Sequence, residues 1–363
     1  MDDAASPRET PPADAASLEQ PSRQRSYDMG FWRLAWRRMR KDPMAMTGLG
    51  IVAFLLLMAY FAPLIANNRP IVMHWQGKTY YPAVGQMFPF RLFLDYRHLD
   101  LLDYELLKTD PQVARLMPPI PHGPLKTHTP DKLQGPSSEY WLGTDDLGRD
   151  MLARVIHGTR VSLTVGFVAM GIAACIGILI GALAGFYGGW VDIALSRVIE
   201  VVMSFPSFFL IIAIVAFLPP RFIYVMIVIG LTSWTSIARY ARGEFLKLKE
   251  QDFALAGRAL GASDARIIFR HILPNALAPV LVSVTFGIAQ AILIEAGLSF
   301  LGFGVQPPTP SWGGMLSAAQ NYLEWWWITA FPGAAIFLAV TGYNMLGEGL
   351  RDATDPRLAL RGR

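Results

Sequence analysis

Six apolar runs, each close to the thickness of a bilayer, decide what this chain can fold into. They lie at about Met44 to Ala66, Val161 to Phe186, Ile193 to Leu218, Phe222 to Tyr240, Ala278 to Phe303 and Trp326 to Leu346. A hydrocarbon core about 30 Å thick is crossed by about 20 helical residues, and without water every backbone donor and acceptor there needs an internal partner. The expected fold is therefore all-α, a polytopic membrane protein with six transmembrane helices. A composition of 53% hydrophobic and only 17% charged residues, with a mean hydropathy of +0.33, excludes an ordinary soluble domain. The net charge of +4 is modest, and the cations cluster beside the apolar runs, so no nucleic-acid partner is expected.

Those cations orient the chain. Arg33, Arg37, Arg38, Arg40 and Lys41 precede the first run and should hold the N-terminus in the cytoplasm. Threading six spans then places Arg239, Arg242, Lys247 and Lys249 inside, together with Arg351, Arg357, Arg361 and Arg363. The short outer connections carry Arg221 alone. The resulting plan is a basic tail over 1–41, a first span over 42–66 and an outer insert over 67–157. A core over 158–350 follows, containing a cytoplasmic loop over 241–275, and then a cytoplasmic tail over 351–363. Residues 1–28, rich in Ala, Pro, Ser and acids, read as disordered, and no signal-peptide core follows them.

The insert is rich in Pro and Tyr and is expected to be extended in its middle, with room for one short helix over Leu99 to Leu116. His122 and His128 lack a third ligand at metal-binding spacing, and no metal site is expected. Gly77-Lys78-Thr79 lacks the leading glycine of a phosphate-binding loop, since position 72 is valine. The single cysteine, Cys175, lies in an apolar run and allows no internal disulfide.

The stretch from Gln251 to Asn275, QDFALAGRALGASDARIIFRHILPN, is polar and basic between two spans. Phe253, Ala256 and Leu260 share one helical face from Asp252 onward, and Gly261 can end that helix with a positive φ. Ser263 or Asp264 then caps a second helix, with Ile268 and Ile272 on one side and Arg266 and Arg270 on the other. Pro274 is expected to close it. Two short amphipathic helices joined by a tight turn suit docking into a groove on a partner.

This stretch resembles the EAA loop of ABC-transporter importer permeases: Gly261 matches its glycine, and Leu273 with Pro274 its Leu-Pro ending. Leu255 stands in place of the glutamate, Gly257 of the second alanine and His271 of the isoleucine. WLGTDDLGRD (Trp141 to Asp150), GFYGGWVD (Gly185 to Asp192), SWTSIARYARG (Ser233 to Gly243), SFLGFG (Ser299 to Gly304) and LRDATDPR (Leu350 to Arg357) are similar to the C-type permease subunit of dipeptide and oligopeptide importers. Asn68 to Ala83 looks like the Yej-type branch. The resemblance implies a type I importer permease fold in a bacterial cytoplasmic membrane, and a peptide (dipeptide or oligopeptide) substrate. It also implies a homologous B-type permease partner, two ABC ATPase subunits inside and a substrate-binding protein outside. Asp252, Phe253, Ala256, Gly257, Gly261, Leu273 and Pro274 would couple the chain to the ATPases. Nickel or another small solute is the alternative cargo that such resemblance also allows.

Within the spans, Gly177, Gly181 and Gly185 continue a small-residue stripe from Ala173 and favour close helix packing. Pro206 and Pro332 should kink their helices. Arg197, Glu200 and Glu295 are ionisable groups expected to be buried: the first two as a pair one turn apart, the third facing protein or water, either in a structural hydrogen-bonding role or lining or gating the path. No HExxH, no intramembrane Ser/His arrangement and no paired aspartates support protease chemistry. An ion-driven secondary transporter would show inverted repeats, which are not evident. The chain carries no nucleotide-binding motif of its own, so it is read as a permease with no cofactor, its ATP hydrolysed by partner subunits.

Overall fold

A computed structural model describes residues 31–87, 90, 104 and 113–354. The expectations for residues 1–28 and for Arg357, Arg361 and Arg363 lie outside the described residues. Helix α1 (Phe31–Met39) precedes α2 (Pro43–Ile65), whose start is set by Asp42 accepting the Met44 N–H at 2.9 Å, with Pro43 at a position needing no donor. Asp150 caps α3 (Met151–Tyr187) by accepting from Ala153 N at 3.0 Å, and Gly188 (φ 67°) ends it. Next come α4 (Gly189–Met203), α5 (Ser207–Ala216), α6 (Phe222–Leu248) and α7 (Asp252–Ala259). The continuous helix α8 (Asp264–Phe300), the short α9 (Trp312–Ala319) and α10 (Trp326–Thr354) complete the bundle.

Five of these helices are long and apolar enough to cross a membrane, and α4 with α5 forms a sixth span broken by a 76° bend. The break is the expected effect of Pro206, taken further than a kink: the segment Ser204–Pro206 is not helical. Pro332 instead stays inside an uninterrupted α10.

Several boundaries move outward from those expected. Residues 151–157, assigned to the insert, are the first turns of α3; α6 runs past Tyr240 to Leu248, and α10 past Leu346 to Thr354. Hydropathy marks only the part of a helix that meets lipid, whereas backbone hydrogen bonding continues until a cap stops it. In the insert, Ala114–Leu116 is not helical but strand β3, paired with β1 (Val72–Trp75), which also pairs with β2 (Lys78–Tyr80) in the order β2-β1-β3. The β1–β2 turn uses Gln76 and Gly77 at φ 51° and 75°, and the open edge of β1 captures 114–116 in the register Met73↔Arg115. Residues 99–112, apart from Tyr104, lie outside the described residues.

The core is a seam between α3 and α6. A Cβ on Gly177 would lie 2.8 Å from Ile237 Cβ, on Gly181 2.5 Å from Ala238 O, and on Gly185 2.6 Å from Arg242 O. The small-residue stripe therefore packs two helices of this chain, with backbone close to backbone as well as to side-chain Cβ atoms. On another side α2 meets α10, where a Cβ on Gly48 would lie 2.6 Å from Leu346 N.

Candidate functional site

Two regions carry chemistry beyond packing: the 241–275 end of the bundle and a cleft at the broken span. In the first, α6 ends at Leu248, a short turn follows, and α7 leads through Leu260 to Gly261, at φ 77° with open space around its missing Cβ. Ser263 Oγ accepts from Arg266 N at 3.4 Å and starts α8. Ala254, Ile267, Ile268 and Ile272 turn inward onto Phe186 of α3 and Phe245 of α6. Phe253, Ala256 and Leu260 lie on the outer side instead, with Leu260 88% exposed, beside exposed Asp252, Leu255, Phe269 and Pro274. Gly257 and Leu273 are half-buried between the two sides.

Pro274 does not close the second helix. The backbone widens into a π-turn over Ile267–Ile272, in which Leu273 N bonds back to Ile268 O, and the helix continues to Phe300. A wider turn relieves the clash between the proline ring and the preceding carbonyls, and Asn275 Nδ2 donates to His271 O at 2.7 Å. The loop is thus one short helix and the first turns of a spanning helix, not two isolated short helices.

Its attachment includes contacts that sequence reasoning missed. Arg242 grips Asp192 with both Nε and a terminal nitrogen, the latter 2.7 Å from Oδ2. Lys249 Nζ donates to Phe186 O at 3.4 Å, and the Arg258 guanidinium lies 5.8 Å from the Phe186 ring centre. The available signal was opposite charge in two stretches already singled out, GFYGGWVD and SWTSIARYARG.

The ionisable residues of the spans separate into two kinds. Glu295 is fully buried and gathers hydroxyl donors: Ser162 of α3 at 3.3 Å, Ser299 of α8 at 2.6 Å, and Ser311, the cap of α9. Ser299 Oγ also accepts from Val305 N at 3.0 Å, and Ser311 Oγ from Gly314 N at 3.1 Å, so one carboxyl ties two spans to the 301–311 loop. Arg197 and Glu200 do pair, at 2.5 Å, but they are not buried in this chain: their side chains are 75% and 59% exposed. They share the outward flank of α4 with Trp190, Ile193, Val198 and Val201, residues that a lone chain leaves uncovered.

The cleft lies where α4 breaks from α5, against α6 and α8, and encloses about 520 Å³. Its walls are apolar (Met170, Met203, Phe286) with neutral polar groups between them (Ser207, Thr235, Gln290), and among the described residues no charged side chain lines it. Of these only Thr235 falls in a stretch singled out from the sequence, SWTSIARYARG, and none stands out singly, because a serine or threonine in an apolar helix usually bonds its own backbone, as Thr232 does to Val228 O at 2.9 Å.

At the opposite end, the WLGTDDLGRD stretch folds into a knot. Asp145 accepts from Leu147 N and Arg149 N, each at 2.9 Å, and from Arg149 Nε at 2.7 Å. Asp150, while capping α3, faces His122 Nδ1 at 2.8 Å, and Trp327 of α10 donates to Thr144 O at 3.1 Å. Tyr140 donates to Asp131 at 2.9 Å, and burial followed by that bond raises its phenol above the usual range.

Comparison with known proteins agrees on one family. Residues 177–360 match the family described as binding-protein-dependent transport system inner membrane component, and residues 30–82 match the N-terminal TM domain of oligopeptide transport permease C. The dipeptide transport system permease of Alkalihalophilus pseudofirmus is 36% identical over 97% of this chain and 95% of its own length. The oligopeptide transport system permease of Bacillus subtilis is 32% identical over 95% of each. The glutathione transport system permease of Pectobacterium atrosepticum is 42% identical over 62% of this chain and 75% of its own. With spans, loop and matches in agreement, the chain belongs to the binding-protein-dependent transport system inner membrane components, as a C-type permease of the dipeptide and oligopeptide kind.

Proposed function

We propose that this chain is half of the membrane pathway of an ATP-driven peptide importer. A homologous permease would cover the exposed flank of α4 and α5, two ABC ATPase subunits would bind the outer side of α7, and an extracytoplasmic binding protein would deliver substrate. The chain holds no nucleotide itself; its part is to carry motion. Both termini and the 241–275 end face the cytoplasm in this reading, which follows from the basic residues beside the spans.

The observation that carries the proposal is the continuity of α8. Phe269, which in this reading meets an ATPase groove, sits directly after the Gly261 turn on the same helix that reaches the cleft at Gln290 and the buried Glu295. Displacement at one end therefore acts on the cleft without a flexible joint between them, apart from the π-turn. A coupled machine needs the ATPase to bind the loop differently in its two states, since only differential affinity shifts an equilibrium. The three relatives described above are named for dipeptide, oligopeptide and glutathione transport, which supports a peptide cargo.

The test is uptake of labelled di- and oligopeptides by proteoliposomes holding the full complex, with ATP inside and binding protein outside. ATP-dependent accumulation is expected. Accumulation of nickel in place of peptides, or peptide uptake driven by an ion gradient without ATP, would refute it.

A further inference from the structure

The broken span leaves an unused group at the depth of the cleft. Helix α5 starts after Pro206 with no side-chain cap, and its first backbone bond runs from Leu210 N to Pro206 O at 3.1 Å. The N–H groups of Ser207, Phe208 and Phe209 precede that bond and point out of the helix start, where Pro206 and Ser207 line the cleft. A second feature converges there. Thr235 of α6 is only 6% exposed, lines the same cleft, and makes no hydrogen bond among the described residues. Its hydroxyl is not among the sealed, unpartnered polar atoms of the described residues, so it opens to the cleft and is free to bond a ligand there. Among the described residues no charged side chain lines the cleft itself, and the guanidinium of Arg239 stops behind its wall at 3.8 Å from Met203 Sδ, so the helix terminus is the positive end that opens directly into the cleft, where low dielectric strengthens it.

We propose that the N-terminus of α5, with the Thr235 hydroxyl, is a subsite for the C-terminal carboxylate of the transported peptide. This rests on the importer reading and deepens it. A carboxylate is the one negative charge common to all free peptides, whatever their side chains. Three backbone donors can hold it weakly enough for onward passage, where a buried arginine would retain it. The adaptable Met170 and Met203 leave room for varied side chains beside it.

The test compares dialanine with dialanine amide, which lacks the terminal charge, in uptake by the reconstituted complex with its binding protein. Each variant is read against wild type for each peptide, so discrimination by the binding protein cancels. Ser207→Asp places a carboxylate on the same N–H groups while favouring the helix. It should lower dialanine uptake at least tenfold more than uptake of the amide. Thr235→Val, equal in shape without the hydroxyl, should lower dialanine uptake about threefold more. Equal loss for both peptides overturns the subsite and leaves the importer reading intact, whereas no peptide uptake by wild type overturns the importer reading. If wild type refuses the amide, or Ser207→Asp fails to assemble, Ser207→Cys in a Cys175→Ala background decides. Dialanine should slow its labelling by a neutral maleimide more than the amide does, and equal protection or none overturns the proposal.

Discussion

Gly171 and Gly181 lie in the same helix and invite the same substitution, yet alanine should act in opposite directions at the two. At Gly171 an added Cβ meets nothing within 4 Å, so alanine brings only its better helix propensity, about 0.5–1 kcal/mol. At Gly181 it would stand 2.5 Å from Ala238 O, 2.6 Å from Ala241 Cβ and 2.8 Å from Arg242 N. Two of those three atoms are backbone, so no side-chain rotation relieves the contact. The helices would have to part by about 0.9 Å to restore ordinary contact, at a place where Gly177 and Gly185 hold the same seam equally tight. Overpacking of this kind costs about 1–3 kcal/mol, which outweighs the propensity gain. Thermal unfolding of the purified complex in detergent reads the sum. Gly171→Ala should raise the midpoint and Gly181→Ala lower it by several degrees, with Gly177→Ala following Gly181→Ala. Equal midpoints for Gly171→Ala and Gly181→Ala would mean that the α3–α6 seam is not the close contact described here.

Further tests address the coupling end and the knots. Gly261→Val should depress substrate-stimulated ATP hydrolysis more than Gly261→Asn, because the penalty is a left-handed backbone, about 1–2 kcal/mol, and asparagine tolerates it; equal rates would place the turn outside coupling. Phe253→Ala should lower ATPase-subunit retention on purification by removing an exposed apolar contact, with insertion unchanged, and full retention would remove Phe253 from the interface. A double-mutant cycle on Asp192 and Arg242 should give about 1 kcal/mol of coupling, modest because both side chains reach solvent, and a value near zero would make the pair incidental. Reporter fusions at Lys126 and Lys249 should read on opposite sides of the membrane; the same side would overturn the span order.

What the sequence disclosed and what it hid divide along physical lines. Spans, the Gly177–Gly185 stripe and the positive φ at Gly261 follow from local properties, namely apolar length, spacing and the freedom of glycine. Pro206 was legible as a distortion but not as a 76° break, because the outcome depends on whether neighbours repair the lost bond. At Pro274 they do, through a π-turn, and the same residue type interrupts nothing. Arg197 and Glu200 read as buried because they sit in an apolar run, yet a run says nothing about which flank faces the chain's own core. The Asp192–Arg242 grip and the cleft at Ser207 join residues far apart in sequence, where periodicity has no reach.

The meeting of the first and last helices has a consequence for how the protein is made. Arg38 of α1 donates to Ala353 O at the end of α10, a separation of 315 residues, and α2 packs against α10 near Gly48 and Leu346. At roughly 5–20 residues per second, a ribosome needs about 15–60 s to supply that partner. Until then the side of α2 that meets α10 stays bare in lipid, and it is built to wait: between Pro43 and Ile65 no residue is charged, and the hydroxyl of Thr47 is spent on Pro43 O at 2.8 Å. The first span is thus written to stand in lipid alone, to gain α3 midway and to have its last face covered only when translation is nearly over.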